Sequence, residues 1–144
     1  MDTMSSNYHC CVKVKNRSHS PQRVLDTTGR KQYTDESVVD VMPRGEDDEV
    51  EVIFFKLSRY INNTELEKEY ELRGLKAVDP FSLVAVNRAN PTFADEHPNG
   101  THWQDVNGKW CYVAFSCWHG ERYLDVSRKD VDWIDRWWFA GLRK

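Results

Sequence analysis

The stretch 101–127, reading THWQDVNGKWCYVAFSCWHGERYLDVS, constrains this chain more than any other, because it joins three alternating runs by two tight-turn signals. Asn107-Gly108 is the strongest short-range signal for a two-residue type I′ hairpin, whose central residues both need positive φ. Such a turn sets Val106 opposite Lys109, Asp105 opposite Trp110, Gln104 opposite Cys111, Trp103 opposite Tyr112 and His102 opposite Val113. At Gly120-Glu121, glycine in the first position suits a type II′ turn. That turn pairs His119 with Arg122, Trp118 with Tyr123, Cys117 with Leu124 and Phe115 with Val126.

The two registers agree with each other, and side-chain alternation sorts the meander into two faces. Cys111, Val113, Phe115, Cys117, Leu124 and Val126 share one face, small and aliphatic enough for a packed core. Trp103, Trp110, Tyr112, Trp118 and Tyr123 share the other. That slab of aromatic surface must be covered by helices or meet a partner.

The rest of the chain supplies the elements that would do the covering. At 144 residues it is one domain's worth of chain, and 12% aromatic content argues against disorder despite a mean hydropathy of -0.73. Residues 1–7 read as a loose terminus. Tyr8 to Lys15 alternates as a strand, with Tyr8, Cys10, Val12 and Val14 on one side. Residues 16–36 are polar and read as a long loop with at most a helical turn near Val24-Leu25. Ser37 to Met42 and Val50 to Leu57 read as a hairpin whose tip is the solvated, acidic run Glu46-Asp47-Asp48-Glu49.

Thr64-Glu65-Leu66-Glu67 is a capping box that starts a helix, with Leu66, Tyr70 and Leu72 toward the core and Gly74 as its stop. Asp79-Pro80 starts a second, mostly buried helix that ends at Asn90-Pro91. Arg128 to Asp135 reads as a turn or short helix. Arg136 to Arg143 reads as a final strand with Trp138 and Phe139 on opposite faces. The fold class is α+β: one domain, a mainly antiparallel sheet and two short helices.

Formal net charge is -3, which implies neither a strongly basic nucleic-acid binder nor an acidic DNA mimic. Residues 46–105 hold 13 acidic and 6 basic side chains, so the charge is uneven. No apolar run approaches a membrane span and the first 20 residues lack a secretory signal, so the expected compartment is cytoplasmic, with free thiols.

Few residues point to chemistry. Asp95, Glu96, His97, His102 and Asp105 crowd the segment before the Asn-Gly turn. Imidazoles beside carboxylates are what a divalent metal or an acid–base pair needs, although the spacing matches no metal signature. Cys111 and Cys117 lie six residues apart in one strand, or about 20 Å, too far for one ion or a disulfide. Asp125, Asp130, Asp132 and Asp135 lack the spacing and glycine of a calcium loop and read as turn and surface residues. No cofactor is expected.

All six tryptophans lie between Trp103 and Trp138. Trp, Tyr and Arg dominate protein–protein hot spots, and the candidate interface is Trp103, Trp110, Tyr112, Trp118, Arg122, Tyr123, Trp133 and Trp137. Beside Arg122, Arg128, Lys129 and Arg136 the same rings could stack on single-stranded nucleic acid.

The segment PTFADEHPNGTHWQDVNGKWCYVAF, with the closing WWFAGLRK, resembles small accessory proteins of tailed bacteriophages over roughly residues 67–144. The resemblance implies a protein that binds and inhibits, or redirects, a host macromolecule, including host defence systems; it assigns no residue roles. The expectation is thus a non-enzymatic binding protein with a host protein as partner, no membrane association and room for a homo-oligomer. The alternatives are a metal-assisted hydrolase or nuclease using Asp95, His97, His102 and Asp105, and a single-strand nucleic-acid binder.

Overall fold

The aromatic and β-branched runs assemble into one mixed sheet, seen in a computed structural model that describes residues 7–144. The expected loose terminus, but for Asn7, lies outside the described residues. In chain order the elements are β1 (Tyr8–Lys13), α1 (Pro21–Asp26), β2 (Lys31–Thr34), α2 (Glu36–Val39), β3 (Glu49–Lys56), β4 (Ile61–Asn62), α3 (Asn63–Leu72) and β5 (Leu75–Ala77). Then follow α4 (Pro80–Ala89), α5 (Phe93–Glu96), β6 (Asn99–Gln104), β7 (Trp110–Trp118), β8 (Glu121–Arg128), β9 (Asp132–Trp133) and β10 (Trp138–Arg143). The sheet runs β1-β3-β10-β6-β7-β8-β2, with β5 also on β10, while β4 and β9 pair separately. Pairing is antiparallel except for β10 with β6 and β2 with β8. The α+β class and the mainly antiparallel sheet are as expected.

Each face of the sheet carries a core. Val50, Val52 and Phe54 of β3 point to one side, where α4 presents Phe81, Leu83, Val84 and Val86. Asp79 caps that helix by accepting from Ser82 N, with proline at its first turn, as its sequence signal indicates. Ile53 and Phe55 point to the other side, toward Leu66 and Tyr70 of α3. The Tyr70 ring lies 5.2 Å from Phe55, edge-on, and its hydroxyl donates to Ala140 O at 2.7 Å. It sits directly on Gly141, where a Cβ would come within 3.0 Å of the ring. Trp133 lies on Gly100 in the same way, at 3.0 Å. Burying each such ring contributes about 2–3 kcal/mol. Trp138 and Phe139 divide between the two cores as alternation requires.

Several expectations are corrected. The Asn-Gly turn is a three-residue loop, because Asp105 takes control of it. Asp105 Oδ1 accepts from Asn107 N at 2.8 Å and Lys109 N at 2.9 Å, and Gly108 N donates to Asp105 O. Only Gly108 needs positive φ there, at 77°. The register therefore moves by one, to Trp103 opposite Cys111 and His102 opposite Tyr112. A one-residue slip exchanges faces, so Trp103 joins the aliphatic side and His102 the aromatic side. The next turn is His119-Gly120, with φ 50° and 76°, which is the type I′ pattern. Trp118 then faces Glu121 and Phe115 faces Leu124; this shift is by two, so the faces of β7 and β8 stand.

Elsewhere, Ser37 to Met42 forms no hairpin with β3. Asp35 accepts from Ser37 N and caps the short α2. Between 16 and 36 the expected helical turn near Val24-Leu25 is present as α1, while β2 replaces part of the expected loop. The capping box of α3 belongs to Asn62 and Glu65, two residues before the expected Thr64, because Asn62 accepts from Glu65 N while Glu65 reaches back to Asn62 N. Leu72 is 79% exposed. The 128–135 segment holds the two-residue β9. The acidic tip is tied down by Arg17, which donates to the carbonyls of Arg44 and Asp47 and to Asp79 Oδ2.

Candidate binding surface

The corrected registers put the α3-side face of the outer strands in a definite order. His102 and Gln104 come from β6; Trp110, Tyr112, Ala114, Ser116 and Trp118 from β7; Glu121, Tyr123, Asp125 and Ser127 from β8; and Lys31 and Tyr33 from β2. One half of this face is roofed. Trp110 stacks on His102 at 4.4 Å, Trp133 meets Tyr112 edge-on at 5.6 Å, and Trp137 packs on Trp133 at 5.4 Å.

The other half is bare. Helices α1, α2, α4 and α5 feed the opposite core through Val24, Val38, Phe81 and Ala94, and α3 packs chiefly on β4 and β5. Trp118 is 58% exposed and Tyr33 56% exposed. Ser116, Tyr123, Asp125 and Ser127 sit in mid-strand, where a covered sheet would bury them, yet all four remain half-buried. Tyr33 and Tyr123 stand 5.7 Å apart with their rings tilted by 35°.

Asp125 is central to this bare half. Its register partners are Tyr33 on β2 and Ala114 on β7, and its same-face neighbours along β8 are Tyr123 and Ser127. Burial pushes its carboxyl pKa up, and its charge in turn adds to the rise that burial imposes on the Tyr112 phenol.

Six of the eight interface candidates, Trp110, Tyr112, Trp118, Tyr123, Trp133 and Trp137, lie on this side of the sheet, with Trp133 buried in the roof. Trp103 and Arg122 lie on the other side. Trp103 packs beside the aliphatic core, and Arg122 holds Asp95 through Nε at 3.0 Å and Nη2 at 2.8 Å. Tyr33 and Asp125 belong to the surface but are absent from the sequence-based set. Alternation did place Asp125 opposite to Leu124 and Val126. Nothing marked Tyr33, because KQYT is too short and polar to read as a strand.

The structure does not bring the four metal or acid–base candidates together. Asp95 is paired with Arg122, which holds its carboxyl below the usual range. His97 stacks on Phe93 at 4.7 Å and meets the Tyr8 hydroxyl at 3.2 Å. Asp105 caps its own turn and pairs with Arg128 at 2.8 Å. His102 is buried between Asn63 and Glu67. Among the described residues no group of three or more His, Cys, Asp or Glu is placed to hold a metal ion. No described helix is long and apolar enough to cross a membrane.

Comparison with protein-family models, curated proteins and solved structures finds no match for this chain.

Proposed function

We propose that this chain is a binding protein, of the accessory type that tailed bacteriophages encode, which inhibits or redirects a host protein docked on the bare half of its aromatic face. The single observation carrying the reading is that Tyr33, Trp118 and Tyr123 project from adjacent strands of the sheet with no packed layer over them. The exposed Tyr33 and Trp118 rings beside the half-buried Tyr123, with a polar rim of Ser116, Ser127, Glu121 and Lys31, match the composition of protein hot spots. A net charge of -3 favours a protein over nucleic acid. So does the engagement of Arg122 and Arg128 with Asp95 and Asp105 on the opposite face. The phage and host assignments rest on the resemblance over residues 67–144.

The test is affinity capture from a bacterial lysate, comparing the natural chain with the Trp118→Ala/Tyr33→Ala double variant. A specific partner should be retained by the first and lost by the second at equal melting temperature. Undiminished capture by the double variant would sink the proposal.

A further inference from the structure

A carboxylate in the middle of a β-strand is normally paired across the sheet or turned to open water. Asp125 has no partner across the sheet among the described residues, and its carboxylate is only partly shielded, with its oxygens still reaching water. Among the described residues it makes no hydrogen bond and no ion pair, and it is half-buried. Each cation that approaches this end of the sheet is engaged elsewhere. Lys31 Nζ lies 3.7 Å from Glu121 Oε1 and over the Tyr33 ring, while Arg122 and Arg128 are on the opposite face with Asp95 and Asp105. Across β7 the register partner is Ala114, which has no polar side-chain atom to offer. The flanking groups on the same face are the Tyr33, Tyr112 and Tyr123 rings and the Ser116 and Ser127 hydroxyls.

We propose that Asp125 seats a cationic side chain, an arginine or lysine of the protein partner, beside the rings of Tyr33, Tyr112 and Tyr123. This rests on the docking role proposed above and names the chemistry the partner must bring. Two physical terms converge on one ligand type. A partly desolvated carboxylate with no partner in the chain gains from a charge-assisted hydrogen bond to an ammonium or guanidinium. Aromatic faces within about 6 Å of a cation attract it further, and more strongly where water is excluded. The rise that burial imposes on the Asp125 pKa is the cost such a partner would relieve. A neutral or anionic side chain would leave that cost in place.

The experiment is a titration of the isotope-labelled full chain with the capped dipeptide acetyl-Arg-Arg-amide, followed by NMR. The dipeptide carrying citrulline, the neutral analogue of arginine, is the control. The arginine probe should move the Asp125 carboxyl signal and the ring signals of Tyr33, Tyr112 and Tyr123, and should lower the Asp125 pKa. Citrulline should bind at least tenfold more weakly, and Asp125→Asn should reduce arginine binding to the citrulline level. Equal responses to the two dipeptides would overturn the proposal, as would shifts centred on the acidic loop 46–49 or an undiminished response in Asp125→Asn. If arginine fails while partner capture still depends on Trp118 and Tyr33, the cation seat is wrong and the docking role stands. Capture independent of Tyr33, Trp118 and Asp125 removes both.

Discussion

His102 Nε2 lies 2.9 Å from Glu67 Oε1, beneath the Trp110 ring. The other nitrogen, Nδ1, faces Asn63 Oδ1 at 2.8 Å. The orientation of the Asn63 amide is fixed independently. Its Oδ1 accepts from the Trp133 indole N–H, which can only donate, and its Nδ2 donates to Asp130. Nδ1 of His102 must therefore carry a proton, and a proton at Nε2 is what the Glu67 contact asks for. Burial opposes the charge this creates and pushes the His102 pKa down, while Glu67 pulls it back.

Removing the Glu67 charge should shift that balance. In Glu67→Gln the His102 pKa, followed by imidazole NMR, is expected to fall further while Nδ1 stays protonated. A histidine with a lowered folded pKa binds fewer protons folded than unfolded. Its stability contribution is complete above its unfolded pKa of about 6.5 and is lost as pH falls toward the folded value. Urea unfolding of Glu67→Gln should therefore lose stability more steeply below that pH than the natural chain. A risen His102 pKa would contradict this.

Asp125 carries the opposite sign. Its folded pKa is raised, so the folded chain binds the extra proton and stability declines as pH climbs from the ordinary carboxylate range through the folded pKa. Asp125→Asn should match the natural chain in melting temperature near pH 3 and exceed it at pH 7. Discounted for solvent screening of a half-exposed group, the gain is about 0.5 kcal/mol. A variant less stable at pH 7 would show that Asp125 has a partner in the folded state.

Asp105 is expected to hold the β6–β7 register. Asp105→Ala loses acceptors for two backbone amides and the pairing with Arg128. It should cost about 1–2 kcal/mol in denaturant unfolding. Chemical-shift changes should concentrate around Gln104 to Trp110.

Gly100 is expected to tolerate no side chain. A Cβ would meet the Trp133 ring and the Val113 carbonyl at 3.0 Å. Gly100→Ala should cost about 1–3 kcal/mol and loosen the roof over Tyr112, read as a change in tryptophan fluorescence. Gly29→Ala is a useful contrast, since no atom lies within 4 Å of a Cβ there and only its φ of 65° opposes the change.

The elements legible in the sequence were those whose signals are local. Asp79-Pro80 and the alternation of β7 and β8 each carry their own start or period, and the structure reproduces them. What was illegible depended on competition or distance. Asn107-Gly108 carries a strong turn signal, but Asp105 two residues earlier offers a better set of backbone bonds, and the slip moved Trp103 and His102 across the sheet. β2 is held by pairing with β8, distant in the chain, which four residues reading KQYT do not announce. Trp118 and Tyr123 of the bare half were legible as interface candidates; which half of the aromatic face stays bare was not, since it depends on how far α3 and β9 reach across the sheet.

The most direct test of the docking surface is hydroxyl-radical footprinting of the chain alone and with its captured partner. Tyr33, Trp118 and Tyr123 should lose reactivity in the complex. Tyr60, 65% exposed, and Tyr8, 40% exposed, lie outside the bare half-face and should keep theirs. Unchanged labelling of Tyr33 and Trp118, or protection confined to Tyr8 and Tyr60, would contradict a partner seated on that face.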